Sequence, residues 1–330
     1  MIEPLAFFYN PCKNLAMIIR FIGILIGLTV LAGEMQAAAV SQDQLLQCQR
    51  IKEDPKRLAC YDALTVTSKE QEQIHTAESK PNEFPILWAD LDEPSISISL
   101  GQLDFLGDTN NAVLISGGMR LDIKEFNWGN NQSLNFNAFG QIRSQFDVEQ
   151  LDTRNNRGGA LINTDFMVGG ELVKSMPHWN WRLAYTHRST HLGDEFIIDN
   201  QQFLTERVNL SYETVKWTAH KNFNHWDVYA GVGLVTRSEP SDFGKTMYQL
   251  GWQFQGDRLL GVTPIWAVDL TSWAAFDRKI RVTMRAGIEI DQWTTHPFQI
   301  LLEYQDGQSP YGQFYDQDLT FTGLTLLHNW

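Results

Sequence analysis

The sequence of 330 residues has little of three things: cysteine, positive charge and long hydrophobic runs. Three cysteines exclude a disulfide-dense scaffold. The 26 basic residues are outnumbered by 39 acidic ones, and the net charge of −13 argues against a nucleic-acid partner, which calls for a basic surface. A mean hydropathy of −0.27 excludes a protein built from many membrane-spanning helices. Aromatic residues, in contrast, are abundant, with 11 Trp, 9 Tyr and 19 Phe.

The longest uncharged apolar run lies near the beginning, at residues 21–33. Basic residues precede this run and three consecutive alanines follow it, so residues 1–39 have the three regions of a secretory signal peptide, cleaved before about Val40. The run is short for a spanning helix, which needs about 20 residues. We therefore expect an exported protein, with an uncleaved membrane anchor as the alternative.

Two cysteines remain after that cleavage, Cys48 and Cys60. Export would place them in an oxidising compartment, where an even number of cysteines forms disulfides. We expect this disulfide to join two short helical pieces within residues 40–65. Residues 66–93 are largely polar and charged and are interpreted as a linker that leads into the rest of the chain.

From residue 94 onward, apolar and polar residues alternate with a period of two, which predicts strands. In residues 279–291, for example, every second residue is apolar, and those between are polar, charged or glycine. The apolar faces carry Trp and Tyr near the strand ends, a pattern typical of a transmembrane barrel with a polar lumen. The predicted strands are 94–105, 111–123, 133–145, 160–173, 179–191, 203–217, 224–236, 245–256, 263–273, 279–291, 297–305 and 318–330.

These patterns predict an all-β fold, a transmembrane antiparallel β-barrel of about 12 strands over residues 94–330, with a short helical periplasmic N-terminal segment. An even strand number closes the barrel and leaves no unpaired edge in lipid. The final Trp330 resembles the assembly signal of bacterial outer-membrane barrels. We therefore expect an outer-membrane location, with membrane lipids and the assembly machinery as partners; a periplasmic or secreted β-sandwich is the alternative.

Three motifs carry a family resemblance: PILWADLDEP at residues 85–94, YTHRSTHLGDEF at 185–196 and EYQDGQSPYGQFYDQ at 303–317. Together they resemble the family of bacterial exported proteins called domain of unknown function 1207. The resemblance spans nearly the whole chain after the predicted signal peptide. It implies an outer-membrane location and does not imply a reaction.

The fifth predicted strand carries the best candidate for chemistry. Its odd positions form the aromatic face, so His187, Ser189 and His191 are predicted to face lipid near the outer leaflet. Glu206 on the next strand is the predicted third member of a Ser–His–carboxylate triad for acyl transfer. This His-x-Ser resembles outer-membrane phospholipase A and lipid A deacylase, with Thr190 standing where both families have Asn.

Other polar residues nearby are candidates for binding. His191 and Arg188 could contact lipid headgroups, which is also the alternative to catalysis for this region. Asp194 and Glu195 are a candidate Ca²⁺ site, with a solvated turn as the alternative; no cofactor is required by the predicted chemistry.

The polar faces of the predicted strands mix charges of both signs, which favours a closed lumen and leaves a narrow small-solute channel as the rival function. The predicted inward charges are Asp165, Glu171, Arg182, Arg207, Glu213, Asp269, Arg281, Arg285, Glu289 and Glu303.

Overall fold

The computed structural model describes residues 49, 52–53, 56–58, 60, 84–127, 132–148, 159–199, 210–241, 243–259, 261–276, 279–291 and 297–328. Residues 1–39, Cys48, Glu206 and Trp330 lie outside this set, so the signal peptide, the Cys48–Cys60 disulfide, the role of Glu206 and the C-terminal signal stay predictions. No helix within the described ranges has both the length and the apolar character needed to span a membrane.

Twelve strands form a closed barrel in which each strand pairs antiparallel with its chain neighbours and the first pairs with the last. This confirms the predicted fold. The strands are β1 (Ile96–Phe105), β2 (Asp108–Asn127), β3 (Ser133–Asp147), β4 (Ala160–Ser175), β5 (Asn180–Leu192), β6 (Ser211–Phe223), β7 (Trp226–Glu239), β8 (Thr246–Gln255), β9 (Val262–Trp273), β10 (Ile280–Ile290), β11 (Phe298–Gln308) and β12 (Asp318–His328). A short helix, α1 (Asp194–Asp199), follows β5.

The two faces of the strands differ as the alternation predicts. On β8, Tyr248 and Leu250 are exposed on the outer face, whereas Gln249 and Gln253 are buried in the lumen. The outer surface is thus apolar in a chain that is acidic and polar overall. Lipid accounts for this arrangement, because apolar side chains on the outside of a barrel need no dry protein core.

The sixth strand differs from its prediction. It spans Ser211–Phe223 and not residues 203–217, and the phase of its alternation is shifted by one residue. Tyr212 points inward and stacks on Phe243 with ring centroids 5.0 Å apart. Glu213 lies on the outer face, beside His187 of β5, so its predicted inward position is wrong. A shift of one residue in phase moves every side chain of a strand to the opposite face.

Residues 84–95, named here the lumen segment, lie inside the barrel. We call the end of the barrel where β1 begins proximal and the opposite end distal. Phe84 packs against His220 near the proximal end of β6, and Asp92 reaches Arg188 farther along β5. The chain then returns to the proximal end, where β1 starts at Ile96. The lumen is therefore occupied by the chain itself.

Candidate functional site

The outer face of β5 carries the predicted polar residues. His187, Ser189 and His191 alternate with buried inward residues, and the side chain of His187 is 42% exposed. The ring of His191 lies edge-on to Phe166 of β4, with centroids 5.7 Å apart. The predicted direction of these three side chains is therefore the one observed.

A carboxylate from the neighbouring strand completes this group. His187 pairs in register with Glu213 of β6, and its Nδ1 lies 3.3 Å from Glu213 Oε1. Only 15% of the Glu213 side chain is exposed. This contact occupies one imidazole nitrogen and leaves Nε2 for a second partner. Ser189 lies two residues farther along the same outer face of β5.

Glu213 is the carboxylate that lies beside His187 among the described residues, whereas Glu206, which was predicted for that place, lies outside them. A signal in the sequence points the same way, because Val215 and Trp217 continue the alternating face of Glu213 and Trp217 is exposed to the outside. The outward run from residue 213 to 219 is apolar except for Glu213 itself. A lone carboxylate on a lipid-facing row needs a polar partner, and His187 provides one.

Arg188 lies on the opposite side of the barrel wall from His187. Its side chain is 8% exposed and points into the lumen, where its Nη2 bonds to Asp92 Oδ1. The structure therefore does not place Arg188 with His191 on the outer face. Its Nη1 also donates to the main-chain oxygen of Pro310, at 3.5 Å. The three family motifs thus meet at the guanidinium of Arg188.

The lumen segment is held by further ion pairs. Asp90 lies 3.1 Å from Lys216 Nζ, and Glu93 binds Arg120 at 2.6 Å and Arg182 at 2.8 Å. Burial by itself would raise the pKa of the Asp92 carboxyl. The guanidiniums of Arg188 and Arg143 outweigh that effect and hold the pKa well below its usual range.

A second segment closes the lumen from the distal side. Residues 309–317, between β11 and β12, form the distal loop. Arg143 Nη2 donates to Pro310 O at 2.7 Å, and the Gly312 amide donates to Asp165 Oδ2 at 3.1 Å. Gln313 Nε2 donates to the main-chain oxygen of Thr190 on β5. Both the lumen segment and the distal loop therefore attach to the inward face of β5.

Asp194 and Glu195 begin helix α1, and both are exposed. Within the described ranges, no group of three or more His, Cys, Asp or Glu side chains is arranged to hold a metal ion. Ca²⁺ takes six to eight oxygen ligands, so two neighbouring exposed carboxylates do not make a site that fits it.

Comparisons with known proteins agree with the barrel. The family described as "Protein of unknown function (DUF1207)" matches residues 99–330, while no curated protein matches the chain. Outer membrane phospholipase A from Escherichia coli is 13% identical, with a TM-score of 0.51 over 73% of this chain and 93% of that one.

Two further structures of that kind are similar. An active-site mutant of the Escherichia coli enzyme is 13% identical, with a TM-score of 0.50 over 78% of this chain and 96% of the other. A calcium-bound dimer of the Salmonella typhi outer membrane phospholipase is 14% identical, with a TM-score of 0.48 over 72% and 91%. At such identities the likeness shows the fold alone.

Proposed function

The chain belongs to the DUF1207 family, whose description names no activity, and from its own site we propose that it hydrolyses acyl esters of outer-leaflet lipids. The observation that carries this proposal is the contact of 3.3 Å between His187 Nδ1 and Glu213 Oε1 on the outer face, with Ser189 two residues from the histidine. A serine, a histidine and a carboxylate together are the side chains that acyl transfer needs.

Each side chain has a distinct part in this reaction. Ser189 Oγ attacks the ester carbonyl while His187 Nε2 takes the hydroxyl proton, and the same proton then passes to the departing alcohol. Water, activated by His187, releases the fatty acid from the acyl-serine. Glu213 orients the imidazole through Nδ1 and stabilises its positive charge, in place of Glu206.

The position of the site on the apolar outer face of the barrel supports a lipid substrate. The apolar outer face contacts membrane lipids, and a location in the outer membrane with the N-terminus in the periplasm would direct the distal end of β5 to the outer leaflet. His191 stands between Ser189 and that end, so it is the candidate for headgroup contact. The steps above require no cofactor; among the described residues, no group of three or more His, Cys, Asp or Glu side chains is arranged to hold Ca²⁺.

The rival function is a non-enzymatic surface protein or a narrow solute channel. The lumen segment and the distal loop both occupy the lumen, and charged side chains of the wall hold them there. A route for solutes would require several of these buried contacts to break. The site on the outer face therefore accounts for the observed geometry better than transport does.

The test is release of fatty acid from phospholipid vesicles that contain the purified protein. Ser189→Ala and His187→Ala should each lower kcat by about 10⁶-fold, and Glu213→Gln by about 10⁴-fold, because the imidazole loses its orienting charge. Ser272→Ala is the matched control, since Ser272 lies on β9, away from β5, and pairs with Ile280 and Tyr248. Equal rates for Ser189→Ala and Ser272→Ala would eliminate the proposed nucleophile.

A further inference from the structure

A groove with a volume of 570 Å³ crosses the outer face of β1 to β5. Ser189 and His187 line one end of it, and Ile96 lies at the other. Between them the lining includes Gly117, Met119, Gly140, Ile142, Phe166 and Val168. No Asp, Glu, Lys or Arg is found among the described residues of the lining, so the groove suits an apolar ligand.

The strand register gives the direction of the groove. Ser189 pairs with Phe166, Phe166 with Ile142, Ile142 with Gly117, and Gly117 with Ile96. Ser189 is near the distal end of β5, whereas Ile96 is the first residue of β1 at the proximal end. The row therefore descends across the barrel wall. Its four strand spacings of about 4.8 Å amount to about 19 Å, the scale of a long fatty acyl chain.

Gly117 and Gly140 line the groove, and the backbone does not require glycine at either position. A Cβ added to Gly117 would meet nothing within 4 Å, and one added to Gly140 would meet only Met167 O, at 3.6 Å. Neither residue has a positive φ angle. Glycine in the interior of a strand weakens it and often marks a place where a ligand approaches closely. The missing side chains leave the space that the groove occupies.

The outer surface changes from polar on the distal side of Ser189 to apolar on the proximal side, which matches a lipid whose headgroup is distal and whose acyl chain is proximal. Distal to the Ser189 row, the next outward row contains His191, Thr164 and Ser144, which pair in register. Proximal to it, the following row has Val168, Gly140 and Met119 beside His187. An ester at Ser189 would thus have polar groups on its headgroup side and an apolar groove on its acyl side.

We infer that this groove holds one acyl chain of the lipid whose ester reaches Ser189, and that the empty positions above Gly117 and Gly140 admit a long chain. The reacting ester rests on the proposed function, whereas occupation of the groove by the chain does not require hydrolysis. Filling the groove should exclude long chains and leave short ones unaffected.

The test uses Gly117→Leu and Gly140→Leu, with Gly170→Leu as the matched control. Gly170 is outward on β4 and outside the groove, and its added Cβ would have ordinary contacts of 3.5 Å or more. The groove variants should lose about 10-fold in kcat/KM for long-chain phospholipid, with turnover of a soluble butyrate ester within about twofold of the parent. The control should match the parent on both substrates.

Binding is measured separately in nanodiscs, with phospholipid carrying a diazirine on its acyl chain and the Ser189→Ala protein. Crosslinks should map to the outer faces of β2 to β4 and disappear in Gly117→Leu. If the parent hydrolyses nothing but gives these crosslinks, the proposed function fails and the groove assignment stands. If the groove variants keep the crosslinks and the chain preference of the Gly170→Leu control, the groove assignment is overturned. Gly117→Ala repeats both measurements if a leucine variant fails to fold.

Discussion

Replacing Arg188 with methionine tests the link between the lumen segment and the barrel wall. The substitution keeps most of the length of the side chain and removes its charge. Asp92 then remains in the lumen with 19% of its side chain exposed and without the ion pair to Arg188. The hydrogen bond of 3.5 Å to Pro310 O in the distal loop is lost at the same time.

The size of the loss in stability depends on the contacts that Asp92 and Pro310 keep after the substitution. Removing one partner of a buried ion pair costs about 3–5 kcal/mol, because the other charge stays buried without compensation. Arg143 still lies 3.4 Å from Asp92 Oδ1 and 2.7 Å from Pro310 O, so part of the charge and the carbonyl stay satisfied. We therefore expect the lower limit, a loss of about 3 kcal/mol in the free energy of unfolding.

Urea unfolding in lipid vesicles, followed by tryptophan fluorescence, measures this loss. Arg258→Met is the matched control, because Arg258 and Asp291 form an ion pair of 2.8 Å in which both side chains are more than 40% exposed. An exposed pair contributes about 0–1 kcal/mol. The double variant Arg188→Met, Asp92→Leu should recover most of the loss, since it removes both charges. A loss in Arg188→Met no larger than in Arg258→Met would refute the buried ion pair as a source of stability.

Three further outcomes are expected. Bilayers containing the parent should show no steady conductance, whereas Asp92→Asn combined with Glu93→Gln should give channel openings, because the lumen segment loses its ion pairs. The contribution of Asp92 and Glu93 to thermal stability should be constant from pH 7 to about pH 5 and fall below about pH 4. Burial raises the pKa of the Asp92 and Glu93 carboxyls, but neighbouring arginines outweigh that effect, so the folded-state pKa values lie below the unfolded values of about 4. The contribution of these two groups to stability is therefore lost as the pH falls through the folded values. In the lipid assay, Glu213→Gln should lower fatty acid release while Glu206→Gln leaves it unchanged; the reverse order would restore the assignment of Glu206.

The barrel could be predicted because alternation is a local property. Trp226, Val228 and Leu234 alternate with polar or glycine residues, and the structure exposes all three on the outer face of β7. Strand number and face follow from such patterns without knowledge of pairing. Barrel closure then follows, since unpaired strand edges are excluded from lipid.

The carboxylate beside His187 could not be predicted in the same way. Glu206 was chosen from the even-numbered apolar phase of Leu210 and Tyr212, and Val215 and Trp217 supply a competing, odd-numbered phase that includes Glu213. Leu210 and Tyr212 are buried inside the barrel, where Tyr212 contacts Phe243 and Trp273. Large apolar rings fill parts of this lumen, so an aromatic residue does not by itself identify the lipid-facing side. Only the pairing of His187 with Glu213 settles the register.

Local sequence patterns did not predict the position of the lumen segment either. Asp90, Asp92 and Glu93 fall in a stretch interpreted as a linker, and their partners lie 27 to 126 residues away in the chain. The predicted inward charges, among them Arg182 and Arg285, mix both signs and favoured a closed lumen without identifying what fills it. Local patterns could not show that the segment preceding β1 pairs with them, because such pairing depends on the closed barrel.

The candidate site and the filled lumen lie on opposite faces of the same strand, β5. Arg188 stands between His187 and Ser189 in the chain, and its inward contacts with Asp92 and Pro310 hold the backbone that carries the outward pair. Catalytic side chains need such support from neighbouring structure, because small displacements are costly in rate. Opening a solute path would break these inward contacts and remove their support from the part of β5 that carries His187 and Ser189. A permanently open channel would therefore conflict with the site proposed on the outer face of the same strand.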